Sequence, residues 1–247
     1  MEWRSAGEVR WLEADLPGAR AAFSARLGGV SDSPYDSLNL GILTEDRRES
    51  VTENRRRLAE ALGLDPRDVL VGHQIHGAAL ATHDSRPDSG DFIEPRGELS
   101  KVDGHVATEP GLAPLVFVAD CLPVAMVGRG GVAMLHCGWR GLAAGIVARG
   151  SEAVAATHAA IGPGIGPCCY EVGGEVLEAF GQLDDIAEGQ MLNLAEVARQ
   201  LLLEAGVEQV SSADLCTSCE ADLFFSHRRD AGRTGRQAGL VWLEPGA

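Results

Sequence analysis

The chain has 247 residues, 45% of them hydrophobic, and a formal charge of -15 with a sequence pI ≈ 4.8. That is enough apolar chain for one large domain or two small ones, and too acidic for broad binding to nucleic acid or an anionic membrane. No stretch has the length of a membrane span or a signal-peptide core, so a cytoplasmic location is expected, with the six Cys as reduced thiols or metal ligands.

In chain order, "FSARLGGVSDSPYDSLNLG" (Phe23 to Gly41) begins as a strand and becomes a polar loop rich in Gly, Pro and Ser. "RRESVTENRRRLAEALGL" reads as a helix, with Val51, Leu58 and Leu62 on one face and Gly63 closing it. "DVLVGHQIHGAALATH" alternates like a half-buried strand, and the polar stretch from Asp84 to Ser100 is a lid or a connector. "APLVFVADCLPVAMVGRGGVAMLH" reads as two apolar strand runs joined by a Gly-Arg-Gly-Gly turn. "GLAAGIVARGSEAVAATH" has a helical pattern, and "AAIGPGIGPCCY" is a short strand entering a rigid loop. Two further helices fall on "EVGGEVLEAF" and "LNLAEVARQLLLEAGV". "ADLFFSHRRDAGRTGRQAGLVWL" is a loop followed by a last strand. No composition break divides the chain, so residues 1–247 are read as one α+β domain.

The reactive side chains gather around the Gly-Arg-Gly-Gly turn. If that turn is a hairpin centred between Arg129 and Gly130, His136 faces Pro123, and Cys121 is a diagonal neighbour on the same face. Diagonal Cβ atoms lie about 7 Å apart, so a Cys sulfur and a His nitrogen can converge on one ion. Strand alternation lets only one of His73 and His76 join them, with Gln74 on the His76 face. One Cys and two His suit zinc and leave a fourth position for water or substrate. The alternative is a set of buried, hydrogen-bonded polar residues at strand ends.

The stretches "QIHG", "ADCLPV", "HCGWRGL", "IGPGIGPCCYEVG" and "FFSHRRDAGRTGRQAGLVWL", preceded by "FSARLGGVSDSPYDSLNLG", occur in the order seen in the bacterial laccase-domain family. That family is also called multicopper polyphenol oxidase-like, or the peptidoglycan editing factor family, and the resemblance runs from about Phe23 to Leu243. It implies a four-layer α/β/β/α sandwich with mixed sheets. It also implies a zinc-dependent purine nucleoside enzyme with one zinc per chain, held by His76, Cys121 and His136. The same three residues are read as the catalytic set, together with Asp120 from its place beside Cys121. Two positions depart from the family pattern: Cys137 stands where Ala is usual, and His227 where Tyr is usual. Cys137 is expected to point away from the site into the core.

Other candidates carry two readings each. Trp139 either stacks on a planar base or packs in the core. Arg140 either meets a phosphate or pairs with a carboxylate, and Gln74 is a further substrate-binding candidate. Arg228, Arg229, Arg233 and Arg236 fall within nine residues; they form either an anion clamp or a set of ion pairs. Arg26 and Asn39 are substrate-binding candidates by family position. Asp103 and Asp120 are the carboxylates expected to orient a His or take a proton. His105 is either a support for the site or a surface residue. Cys168-Cys169 reads as packing, and "CTSC" (Cys216 to Cys219) has redox or zinc spacing, but no second Cys pair accompanies it, so a structural zinc is not expected.

The resemblance implies phosphorolysis of adenosine, inosine, guanosine and methylthioadenosine, with hydrolytic deamination of adenosine. The partners are then nucleosides and phosphate, with no nucleic acid and no membrane, and a monomer or homodimer. A competing reading is an amidase editing peptidoglycan precursors, with Cys121 as nucleophile and His136 or His76 as base. A copper phenol oxidase is disfavoured: such centres use many His, usually in His-X-His pairs, and this chain has seven His and no such pair.

Overall fold

A computed structural model describes residues 1–87, 90–95 and 97–244. Its first elements were not legible in the sequence. Strands β1 (Glu2–Ala6), β2 (Val9–Leu16) and β3 (Ala19–Ser24) form an antiparallel meander. Its two turns place Gly7 and Gly18 at positive φ, where a side chain would strain the backbone. Helix α1 (Arg48–Leu62) follows, ended as expected by Gly63 in the left-handed conformation.

The run from Val69 to His83 is not one strand. It supplies β4 (Val69–Leu70) and β5 (Leu80–His83), which belong to different sheets, with irregular backbone between them. After β6 (Gly104–Ala107), the apolar run expected as one strand is likewise two, β7 (Ala113–Val118) and β8 (Leu122–Gly128). Strand β9 (Gly131–Cys137) completes the hairpin in the expected register, with Gly128 opposite Gly131 and Pro123 opposite His136. The helical stretch beyond it is broken by Gly145 at φ 80 into α2 (Trp139–Ala143) and α3 (Ile146–Val154). Then come β10 (Ala156–Ile161), α4 (Gly174–Glu178), the small hairpin β11 (Ala187–Glu188) and β12 (Met191–Leu192), α5 (Leu194–Glu204), β13 (Gln209–Ser212) and β14 (Gln237–Leu243).

Two six-stranded mixed sheets result, in the orders β1-β2-β3-β14-β7-β4 and β13-β10-β8-β9-β6-β5. Side-chain alternation builds the layers from them. Along β8, Ala125 and Val127 face the other sheet, where they meet Phe23, Val116 and Val241. Val124 and Met126 face the helices, packing with Ile146, Val147 and Val197. On the far side, Leu58 and Ala59 of α1 cover Trp11, Leu115 and Leu240 of the first sheet. The order is therefore α1, sheet, sheet, helices α2 to α5: a four-layer α/β/β/α arrangement. Because both sheets are covered on both faces, the central strands read as unbroken apolar runs.

Candidate active site and metal centre

The chain passes between the two sheets at Ala119-Asp120-Cys121 and again at residues 71–79, and these crossings open a cleft of about 840 Å³. Both crossings use a non-glycine residue at positive φ, Asp120 at 86 and His76 at 60, a conformation costing roughly 1–3 kcal/mol each. Hydrogen bonds offset that cost. At Asp120 the carboxylate accepts the Thr217 hydroxyl at 2.7 Å and the Arg228 N–H at 2.7 Å, and its carbonyl accepts the Ile165 N–H at 2.8 Å. At His76 the buried Asp103 carboxylate accepts three successive backbone N–H groups, from Ile75 at 3.2 Å, His76 at 2.8 Å and Gly77 at 2.7 Å.

Asp103 also accepts Nδ1 of His136 at 2.8 Å, and its carbonyl takes the His136 N–H at 2.7 Å. Burial disfavours the Asp103 anion, but His136 and these N–H groups overcome that and hold its pKa near about 2. With Nδ1 committed to a carboxylate, His136 presents Nε2 to the cleft. The ligand atoms of His76, Cys121 and His136 all lie within 4.8 Å of one another, and the two imidazole rings meet edge to face at 4.8 Å. Burial works against the Cys121 thiolate, but the charge of His136 and hydrogen bonds from His136 and His76 outweigh it and lower the thiol's pKa. His136 moves up despite burial, because of Cys121 and Asp103. A thiol tuned toward thiolate and an imidazole oriented by a carboxylate fit a divalent metal such as zinc. Gly138 keeps this space open: a Cβ there would lie 2.9 Å from the Cys121 sulfur. Cys137 points the other way into the helix-side core, as expected, with its thiol pushed well up by burial.

His73 lines the cleft but is not part of the three-donor group. One His of the two does join, as the sequence indicated, though the selecting feature is the left-handed turn at His76 and not strand alternation. Gln74 spends its amide on the backbone, donating to the Phe117 carbonyl at 2.7 Å and accepting the Phe117 N–H at 2.8 Å. It braces the wall of the cleft. Asp120, likewise, has both carboxylate oxygens occupied and anchors the crossing.

The arginines separate sharply. Arg140, Arg228 and Arg236 line the cleft. Arg140 lies over the Trp139 ring at 4.4 Å and Arg228 over the Tyr170 ring at 5.3 Å. Arg229 faces away, gripping Asp230 with two bonds of 2.8 and 2.9 Å and the carbonyls of Thr217 and Phe224 at 2.8 and 3.0 Å. Arg233 reaches Glu45 at 3.7 Å on the surface. Arg26 is spent on the carbonyls of Asp36 and Ala221 and lies 4.5 Å from the Phe225 ring, tying the N-terminal loop to the C-terminal one. Asn39 is wholly buried and bonds Thr44, Asp46, Gly41 and Arg236. Neither Arg26 nor Asn39 is among the residues lining the cleft, and these bonds hold both within the fold. His105 is also relocated: it is buried against His83, their ring nitrogens 3.2 Å apart. Cys168 and Cys169 are not core packing; they meet Cys216 and Cys219.

Tyr170, His227 and Arg55 are among the cleft residues that the sequence reading did not propose for the site. Tyr170 and His227 sit in loops with no periodic signal. Arg55 had one: it falls on the Val51–Leu58 stripe of α1, where a cation has to be explained. It is buried between Phe92 and Phe117, bonds the carbonyls of Leu40 and Phe92 at 2.8 and 2.5 Å, and burial lowers its pKa to about 10. Of the long polar loop, Pro95 and residues 97–99 form part of the cleft wall; residues 88, 89 and 96 lie outside the described residues.

Comparison with known proteins adds to this geometry. The family described as multi-copper polyphenol oxidoreductase laccase matches residues 20–244. Purine nucleoside phosphorylase YfiH of Escherichia coli (strain K12) is 39% identical over 240 residues, 92% of this chain and 94% of that protein. Purine nucleoside phosphorylase YlmD of Geobacillus stearothermophilus is 37% identical over 257 residues, 94% of this chain and 93% of its own. The crystal structure of Bacillus licheniformis hypothetical protein YfiH superposes with a TM-score of 0.86 at 32% identity, covering 98% of this chain and 99% of that one. Among the described residues, no helix is long and apolar enough to cross a membrane.

Proposed function

The chain belongs to the multi-copper polyphenol oxidoreductase laccase family, and from that membership and the cleft we propose that it is a purine nucleoside phosphorylase that uses zinc. The observation that carries the proposal is one cleft lined both by the three donors His76, Cys121 and His136 and by Arg140, Arg228 and Arg236, of which Arg228 also donates to the Glu171 carbonyl and Arg236 to those of Thr234 and Gly235. Relatives that cover nearly the whole chain bear the name purine nucleoside phosphorylase.

In this reading a phosphate oxygen bonds to C1′ of the ribose as the C1′–N9 bond breaks. The base leaves with the bonding electrons and takes up a proton. Arg140, Arg228 and Arg236 hold and orient the phosphate, since planar guanidinium groups match its oxygens. Burial, with the Cys121 charge adding to it, pushes the Tyr170 phenol up to about 12, so it stays protonated and able to donate to the departing base. Zinc bound by the three cleft donors would supply Lewis acidity beside the substrate. Adenosine, inosine, guanosine and methylthioadenosine are the substrates of this reading, with deamination of adenosine as a water-dependent side activity. Six free thiols suit a cytoplasmic site of action.

One observation favours a second reading. Cys121, His136 and Asp103 form a thiol–imidazole–carboxylate chain, the arrangement of a Cys-dependent amidase acting on peptidoglycan precursors. Metal content separates the two, because a nucleophilic thiolate is not available while it holds a tightly bound zinc.

The test is product identification on inosine and adenosine with and without phosphate. Phosphate-dependent release of hypoxanthine or adenine with ribose 1-phosphate is expected, and inosine from adenosine reports deamination. Base release that ignores phosphate overturns the proposal.

A further inference from the structure

Four of the six cysteines lie apart from the three-donor group, on two loops on the outer side of the cleft wall. Cys168 and Cys169 occupy a tight turn in which the N–H groups of Cys169 and Tyr170 both return to the Gly166 carbonyl, at 3.0 and 3.1 Å. On a strand two neighbours would diverge; in this turn both sulfurs reach Cys219, at 3.4 and 3.5 Å. Cys216 and Cys219 close a second turn, in which the Glu220 N–H donates to the Cys216 carbonyl at 3.0 Å. All four sulfurs lie within 4.8 Å of one another. An ion bonded tetrahedrally to sulfur at about 2.3 Å requires sulfurs about 3.8 Å apart; two of the spacings here are 3.4 and 3.5 Å and none exceeds 4.8 Å.

Gly166 shapes the space beside the sulfurs. The Gly166 N–H donates to the Cys216 sulfur at 3.2 Å. Gly166 also leaves the sulfurs room, since a Cβ there would lie 3.4 Å from both Cys168 Sγ and Cys216 Sγ.

We propose that Cys168, Cys169, Cys216 and Cys219 form a second metal centre, a closed tetrathiolate site that holds a structural zinc. Zinc replaces the thiol protons as the four sulfur bonds form, and no oxidation state changes. Four protein ligands leave no position for substrate, so the centre is structural. Its position shows what it would stabilise. Cys169 precedes Tyr170 in the cleft wall, and Thr217, inside the second turn, holds Asp120 beside Cys121. The ion ties both loops together behind the active site.

The experiment is elemental analysis of the purified chain, together with X-ray absorption at the zinc edge. About two zinc ions per chain are expected, with Cys219→Ser removing one and His76→Ala the other. The zinc left in His76→Ala should show an all-sulfur shell at about 2.3 Å. Zinc that is lost in His76→Ala but undiminished in Cys219→Ser overturns this proposal and leaves the cleft metal standing; the reverse pattern overturns the cleft metal alone. If Cys219→Ser does not fold, absorption on the unaltered protein decides. Sulfur-dominated coordination supports the second centre, and a single-sulfur shell refutes it. A disulfide among these four cysteines in protein purified under reducing conditions also refutes it.

Discussion

Two histidine pairs contrast: His136 on β9, paired with His76 of the crossing between the sheets, is pushed up, whereas His83 on β5 and His105 on β6 are both pushed down. His76 and His136 meet edge to face at 4.8 Å, and His83 and His105 lie with ring centroids 5.4 Å apart. Asp103 stands two residues before His105, yet its carboxylate serves His136 and the backbone of His76. His136 is therefore pushed up by Cys121 and Asp103 against its burial, whereas burial and the neighbouring His83 push His105 down to about 3. Strand position does not make a histidine a ligand. A thiol and an oriented carboxylate do.

The largest effect should come from removing the first pair's donors. Cys121→Ala and His136→Ala are expected to lose the cleft metal and more than the roughly 100-fold in activity that a supporting residue typically costs. His73→Ala, which leaves the three donors in place, should keep both metal and most activity. Undiminished cleft zinc in Cys121→Ala, measured by elemental analysis, would break the comparison outright.

Asp103→Asn should move the first pair toward the second. The amide cannot accept both His136 and three N–H groups as the carboxylate does, so zinc affinity or activity should fall about 10–100-fold. Competition against a chromophoric chelator reads the affinity directly. Unchanged affinity would mean that the carboxylate is not what separates the two pairs.

Partners sort the arginines as well. Arg229 is committed to Asp230 and to carbonyls, while Arg228 lines the cleft with one side-chain bond, to the Glu171 carbonyl at 3.0 Å, and no carboxylate partner among the described residues. Arg228→Ala is expected to raise the phosphate KM about tenfold, equivalent to about 1.4 kcal/mol, with little change in melting temperature. Arg229→Ala should lower stability by about 1.5–3 kcal/mol and affect all activities alike. Initial rates against phosphate concentration and thermal melts on the same preparations distinguish them. Equal loss of phosphorolysis and deamination in Arg228→Ala would make that residue structural too.

What the sequence disclosed followed from local rules. The β8–β9 register was legible because a tight glycine turn sets the pairing, and the pairing places His136 opposite Pro123. The helix over Arg48–Leu62 was legible from its apolar stripe and its closing Gly63. The crossings between the sheets were not, because Asp120 and His76 hold left-handed conformations through partners far along the chain, Thr217, Arg228 and Asp103. The partners of Arg26 and Arg229 were hidden for the same reason: they include carbonyls on other turns, which carry no side-chain signature. The Cys168-Cys169 pair and the Cys216–Cys219 turn were each visible, but only the fold brings them together.

The smallest effect concerns the second histidine pair and appears in stability, not in activity. In the folded chain His105 titrates near about 3, and burial lowers His83 as well. In the unfolded chain a histidine takes its proton near pH 6.5. Between those values the unfolded state binds more protons, so stability rises with pH across the window and is lost as pH falls from about 6.5 toward 3. The slope for one such group is at most about 1.4 kcal/mol per pH unit. His105→Gln removes the titration while keeping a polar group beside His83, so urea midpoints of the variant should fall less steeply than those of the parent between pH 6.5 and 5. Acid-sensitive terms away from this pair, including proton competition at the cleft donors, are common to both proteins and cancel in the difference, so the difference reads the His83–His105 pair. Parallel curves would mean that His105 is solvated in the folded chain, and the contrast between the two pairs would then rest on Asp103 alone.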